Sequence, residues 1–227
     1  MLVFVDYEHA DGFEREHGPK VLAGRTSITY RLEDLAGTHC HLVRYDRVDQ
    51  ALLDKIGATA IFISGNSFAP DDYDPHALEP IHAIIRKTEL PLFGFCGGFQ
   101  LIAQALGADI VALPASDGPS LVTTKDGRLF EFGYHPVELA VENSGHPLLA
   151  GLGNQPIFRH AHGLYVPELP DGFANLASTA ATPIQMAVHD ERPMVGTQFH
   201  PEYWTEEHPD GRTVIANFLA WSGWSPT

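Results

Sequence analysis

The chain has 227 residues, 44% hydrophobic and 19% charged, with a formal net charge of −15. Its length and apolar content suit one domain spanning 1–227 with a sizeable core, and its acidity argues against nucleic-acid binding driven by phosphate contacts. No apolar run approaches the roughly 20 residues of a membrane helix, no signal-peptide pattern opens the chain, and two cysteines make no disulfide framework, so a reducing cytoplasm and no membrane partner are expected.

Leu2 to Val5 reads as a buried strand. Asp6 to Gly24 is polar, with a Gly18-Pro19 pair, and is expected to be a long loop or irregular insertion. Thr26 or Ser27 can cap a helix that runs to Ala36 and stops at Gly37. A strand over Thr38 to Tyr45 follows, then a helix over Val48 to Ile56 and a strand over Thr59 to Ser64. After a loop from Gly65 to Pro75 come a helix over His76 to Thr88 and a short apolar strand, Pro91 to Phe95. The helix beyond it reaches Leu106, with Gly107 as its stop. Four strand–helix alternations predict a parallel sheet with helices on both faces.

Beyond Gly107 the pattern becomes strand-rich. Short strands are expected at 109–113, 121–124, 129–132, 156–160, 174–178, 184–188 and 194–199, and 135–141 alternates in polarity. Lys125-Asp126-Gly127-Arg128 supplies a hairpin turn. A C-terminal helix begins at Asp210 or Thr213, with Val214, Ile215, Phe218 and Leu219 as its apolar face. The fold class is therefore α/β: a flavodoxin-like, open, mostly parallel sheet with a strand-rich C-terminal half.

The stretch with the most chemistry is Gly94-Phe95-Cys96-Gly97-Gly98-Phe99-Gln100. Glycines at minus two and plus two around a nucleophile make a strand-to-helix elbow, here with Cys in the place of Ser. Cys96 then sits at a helix N-terminus, where free N–H groups favour a thiolate. The Gly97 N–H is placed to donate to an oxyanion. A thiol nucleophile needs a base, and the base needs an orienting group. Phe199-His200-Pro201-Glu202 offers both just after an apolar strand. Pro201 biases His200 toward extended backbone, so that His200 and Glu202 point the same way.

Thirteen histidines are present, and His39-Cys40-His41 or His160-Ala161-His162 could chelate a metal from one strand face. No third and fourth ligand stand at familiar spacing, so no metal is expected.

These residues together resemble a class I glutamine amidotransferase domain, with triad order Cys, His, Glu. Gly94-x-Cys96-x-Gly98-x-Gln100 and Phe199-His200-Pro201-Glu202 match the family's two motifs at every fixed position. Ser27 to Leu32, His162-Gly163-Leu164 with Val166, and Asn217-Phe218-Leu219 resemble further family segments. Two stretches depart from the pattern: Tyr7 to Arg25 is longer than the usual link, and the glycine-rich oxyanion loop is here Ser64-Gly65-Asn66-Ser67.

The resemblance implies hydrolysis of a γ-amide through a Cys96 thioester, without a cofactor. His200 serves as acid and base, Glu202 orients it, and the Gly97 and Gly65 N–H groups hold the oxyanion. Gln100, His162, Gly163 and Leu164 would contact the substrate's amino-acid end. One implied role is ammonia supply to a separate synthetase partner. Another is free-standing hydrolysis of γ-glutamyl amides or peptides. A degenerate binding module is a third possibility, opposed by the intact triad.

Overall fold

The computed structural model describes residues 1–114, 120–124 and 126–224. The first half runs β1 (Leu2–Asp6), α1 (Ala10–Glu14), α2 (Gly18–Ala36), β2 (Cys40–Arg44), α3 (Gln50–Ile56), β3 (Ala60–Ile63), α4 (Pro75–Lys87), β4 (Leu92–Phe95) and α5 (Gly97–Ala105). The second half runs β5 (Val111–Ala112), β6 (Leu121–Thr123), β7 (Leu129–Pro136), β8 (Glu138–Leu139), β9 (Ile157–His162), β10 (Leu164–Tyr165), β11 (Phe173–Ser178), β12 (Met186–His189), β13 (Met194–Thr197) and α6 (Asp210–Trp221).

Eight strands form one sheet in the order β2-β1-β3-β4-β13-β12-β11-β8. The first five are mutually parallel, and β12, β11 and β8 extend the sheet antiparallel. This is the open, mostly parallel α/β sheet that the strand–helix alternation predicts. Strand side chains alternate between the two faces. Leu2 and Phe4 of β1 join Phe62, Phe93 and Phe95 under α2 and α6, where Ile28, Leu32 and Phe218 complete the layer. Val3 and Val5 join Ile61, Ile63 and Leu92 on the other face, under Ile81, Ile84 and Ile85 of α4 and Leu101 and Ile102 of α5. Burying the sheet on both sides is what makes its strands continuous apolar runs.

Two smaller sheets stand apart from the main one: antiparallel β10-β5 and antiparallel β6-β7-β9. Gly127 (φ +75°) lies in the turn between β6 and β7 where a hairpin is expected; Lys125 of that turn lies outside the described residues.

One expectation is corrected. The segment from Asp6 to Gly24 is not a continuous loop: α1 occupies its middle, and α2 begins at Gly18, well before Thr26. Pro19 breaks a helix interior but is favoured in a helix's first turn, which is where it stands. The predicted stop holds, with Gly37 left-handed at φ +66° and its N–H bonded to the Glu33 carbonyl.

Because β3, β4 and β13 are adjacent and parallel, their C-terminal ends share one edge of the sheet. Gly65 follows β3, Cys96 follows β4 and His200 follows β13. The topology therefore gathers residues far apart in sequence at the place where open α/β sheets bind ligands.

Candidate active site

Cys96 has φ +50° and ψ −104°, the one positive φ outside glycine among the described residues. Such strain persists only where surrounding structure over-determines it. Here a Cβ on Gly94 would lie 2.5 Å from the Gly98 carbonyl carbon, and one on Gly98 would lie 2.3 Å from the Ile63 carbonyl oxygen. Strand and helix thus close on each other with no room for side chains. The Cys96 N–H donates to the Thr197 carbonyl at 2.7 Å, and the Cys96 carbonyl accepts from the Gln100 N–H at 3.0 Å. The turn is pinned to β13 on one side and to α5 on the other.

His200 Nδ1 lies 2.7 Å from Glu202 Oε1, and the two side chains are 11% and 1% exposed. The His200 N–H donates to the Arg159 carbonyl at 2.7 Å, which fixes the ring's base. Arg31 donates to the Glu202 carbonyl at 3.0 Å and to the Trp204 carbonyl at 2.9 Å, holding the single turn that carries Glu202. Burial disfavours the imidazolium, but the Glu202 carboxylate and the Cys96 sulfur outweigh it and raise the His200 pKa to about 10. The arrangement sets a charged imidazole between a cysteine sulfur and the carboxyl group that orients the ring, as a thiol nucleophile with its base requires.

Gly65 packs against both groups: a Cβ there would lie 2.8 Å from His200 Cε1 and 3.5 Å from Cys96 Cβ. Its carbonyl accepts from Arg25 at 2.7 Å and from Ser64 Oγ at 2.8 Å. In a trans peptide the next N–H points the opposite way, so the Asn66 N–H points away from Arg25. The Asn66 nitrogen lies 2.9 Å, and Asn66 Oδ1 2.0 Å, from the position of a Cβ on Gly97. Asn66 and Gly97 therefore sit side by side across the elbow, with only glycine tolerated at 97. The Asn66 side chain is tied down by bonds to the Phe68 carbonyl at 2.7 Å and Tyr73 Oη at 2.9 Å.

Three contributors were missed from sequence. In the sequence Asn66 stands only as a departure from a glycine-rich loop. Gln198, fully buried, places Nε2 3.6 Å from Cys96 Sγ and accepts from Gln100 Nε2 at 3.3 Å; its position two residues before His200 was the available signal. The third is the set Asp6, Glu8 and Arg25. Arg25 Nε lies 2.8 Å from Asp6 and its guanidinium 3.9 Å from Glu8, all three buried. Tyr7 to Arg25 therefore delivers the cation that holds the Gly65 carbonyl.

The cavity beside Cys96 has a volume of about 640 Å³. Cys96, Gln100, Asn66, His162, Gly163 and Leu164 line it, together with Phe68, Leu113, Leu129 and Phe130. Gln100 Nε2 donates to the Leu164 carbonyl at 2.9 Å, joining helix α5 to the opposite wall. Of the residues expected at the site, Cys96, Gly65 and His200 meet directly. Gly97 and Glu202 adjoin them, and Gln100, His162, Gly163 and Leu164 form the cavity wall. The His162 ring turns away, toward a buried carboxylate, Glu131, which also approaches His160. His39, by contrast, is 92% exposed.

The family model for the class-I glutamine amidotransferases matches residues 25–221. Among curated relatives, a GMP synthase [glutamine-hydrolyzing] of Phenylobacterium zucineum (strain HLK1) is 31% identical over 197 residues, covering 84% of this chain and 33% of that protein. A GMP synthase [glutamine-hydrolyzing] of Thermomicrobium roseum is 31% identical over 192 residues, covering 85% and 32%. The chain thus spans about a third of the length of these relatives. Among solved structures, a glutamine amidotransferase from Thermotoga maritima superposes with a TM-score of 0.65 at 13% identity, covering 97% of both chains. A Thermoplasma acidophilum protein, provisionally assigned to GMP synthase, gives 0.70 at 24% identity, covering 98% and 94%. The strand-end elbow, the histidine–glutamate pair and a family match over most of the length lead to one assignment: the chain belongs to the class I glutamine amidotransferases.

Proposed function

We propose that this chain hydrolyses the γ-amide of glutamine through a Cys96 thioester and releases ammonia to a separate synthetase. The contact that carries the reading is Gly65 packed against both Cys96 and His200, at the shared end of three parallel strands. The Cys96 thiolate attacks the amide carbon. The Gly97 N–H and an N–H of the Gly65–Asn66 loop take the developing oxyanion. The His200 imidazolium gives its proton to the departing ammonia and, now neutral, takes one from the water that cleaves the thioester. Glu202 keeps Nδ1 engaged throughout, so the other ring nitrogen does the proton transfer. Gln100, with the His162–Leu164 wall, receives the amino-acid end. Two relatives named for glutamine-hydrolysing GMP synthesis, each matched over about a third of its length, support coupling of glutamine hydrolysis to a synthetase activity.

One observation favours a second reading. The cavity wall also carries Phe68, Leu113, Leu129 and Phe130, apolar side chains that free glutamine has no group to meet. A γ-glutamyl amide with an apolar substituent would use it, and the enzyme would then be a free-standing hydrolase with the same triad.

The test is glutamate release by the purified chain from L-glutamine and from a panel of γ-glutamyl amides of rising apolar bulk. Higher kcat/KM on glutamine supports the first reading, and a rise with bulk supports the second. Cys96→Ser and His200→Ala are each expected to abolish turnover with the circular-dichroism spectrum unchanged. Full activity in either variant would remove the triad from the mechanism.

A further inference from the structure

A second cluster lies behind the cavity wall, outside the triad. In the β7–β9 ladder Glu131 stands directly opposite His162, while His160 shares His162's face two residues away. All three are buried: Glu131 0%, His160 0% and His162 3% exposed. Their ligand-type atoms lie within 4.8 Å of one another.

The hydrogen bonding of this cluster does not close. His162 Nδ1 lies 3.2 Å from the Leu164 carbonyl, which can only accept, so Nδ1 carries the proton. His162 Nε2 then faces Glu131 Oε2, 3.1 Å away, and has no hydrogen-bond partner among the described residues. Two acceptors facing each other need a cation between them. His160 Nδ1 lies 3.8 Å from the same oxygen, and neither ring nitrogen of His160 has a hydrogen-bond partner among the described residues. Gln185 donates to Glu131 Oε2 at 2.7 Å yet leaves its own Oε1 buried and unpartnered. A hydrogen bond between His162 and Glu131 alone would still leave the buried His160 ring nitrogens unsatisfied.

We propose that Glu131, His160 and His162 form a binding site for a divalent transition-metal ion, zinc foremost. Two imidazoles and one carboxylate are an established donor set for zinc, which takes its ligands at about 2.0–2.2 Å. Ligand atoms in a tetrahedral site then stand about 3.3 Å apart, which the 3.1 and 3.8 Å separations bracket. Calcium and magnesium prefer all-oxygen shells and fit this set less well. The bond from His162 Nδ1 to the Leu164 carbonyl is the outer contact that orients a metal-bound imidazole. That same carbonyl accepts from Gln100. The ion would position the cavity wall and take no part in the chemistry at Cys96.

The test uses the full chain carrying Cys96→Ala, so that the thiol cannot bind metal. The protein is purified without a histidine tag, stripped with a strong chelator, reloaded with Zn²⁺ and gel-filtered. Close to one equivalent of zinc is expected to remain, with a higher melting temperature than the stripped protein. Adding His160→Gln, which preserves a polar side chain of similar reach, is expected to weaken binding at least about tenfold and to abolish the zinc-dependent rise in melting. Should that variant fail to fold, the Co²⁺ form of the Cys96→Ala parent still reports, since a four-coordinate site absorbs strongly in the visible. Absence of stoichiometric zinc and of any melting shift in the parent would overturn the site. So would equal zinc binding with His160→Gln, which would assign the metal to histidines elsewhere, or a Co²⁺ spectrum of six-coordinate form.

Discussion

Replacing Gly65 with alanine isolates the contact on which the site depends. The added Cβ would lie 2.8 Å from His200 Cε1, where ordinary van der Waals contact begins at 3.4 Å, so one side must give by about 0.6 Å. Neither side is loose. The ring is held by Glu202 at 2.7 Å and by its backbone bond to Arg159, and the loop is held through the Gly65 carbonyl by Arg25 and Ser64. Overpacking of this kind costs about 1–3 kcal/mol of stability. The larger effect falls on the reaction, because displacement of a catalytic group by about 1 Å can cost about 100-fold. We expect kcat for glutamine to fall about 10- to 100-fold with KM little changed, since Gln100 and the Leu164 wall are not displaced. Gly57→Ala serves as control. Gly57 has φ +63° with nothing within 4 Å of an added Cβ, so that variant should lose about 1–2 kcal/mol and no activity. Steady-state glutamate release and thermal melts of both variants make the comparison. A Gly65→Ala enzyme with wild-type kcat would refute the reasoning, because it would mean that the base does not rest against this loop during turnover.

Two further outcomes follow from the buried charges. Arg25→Met leaves Asp6 and Glu8 buried without their cation, and should cost about 3–5 kcal/mol in urea unfolding; a loss under about 1 kcal/mol would show that the pair contributes no more than an exposed one. His200 has its folded pKa raised from 6.5 to about 10, so the stability it contributes is full below pH 6.5 and is lost as pH rises through about 10. The melting advantage of wild type over His200→Gln should therefore shrink steadily over that window, and an advantage that stays constant or grows with pH would contradict the ion pair.

The parallel half of the sheet and the candidate triad are legible in the sequence because their signals are local. A strand announces itself within a few residues, the elbow's glycines surround Cys96, and His200 carries its own orienting group two positions on. What escaped notice depends on pairing between distant segments. Gly18-Pro19 reads as a breaker unless the helix beginning there is already known. Asp6, Glu8 and Arg25 look like solvated charge until α2 brings Arg25 over the end of β1. Glu131 is one acidic residue among 29 Asp and Glu, and only the β7–β9 register sets it opposite His162. The His160-Ala161-His162 pair was visible, but its third partner was not.

This division also bears on how the enzyme selects its substrate. The candidate nucleophile, base and oxyanion loop all leave parallel strands of the main sheet, whereas the far wall comes from β7, β9 and β10 of two other sheets. The two halves meet through a short hydrogen-bonded path, from Cys96 to Gln198, to Gln100, to the Leu164 carbonyl. On the proposed function, a change in the wall is expected to alter which γ-glutamyl compound is held without displacing the candidate nucleophile and base, provided that path survives. Cutting the path should behave differently. Gln198→Leu removes the polar contact to Cys96 Sγ and leaves the buried Gln100 with one partner instead of two, so it should lower kcat and raise KM together. A wall substitution such as Leu129→Ala should mainly change the ranking of substrates by kcat/KM. If the two variants gave the same kinetic pattern, the separation between chemistry and selection argued from the sheet topology would fail.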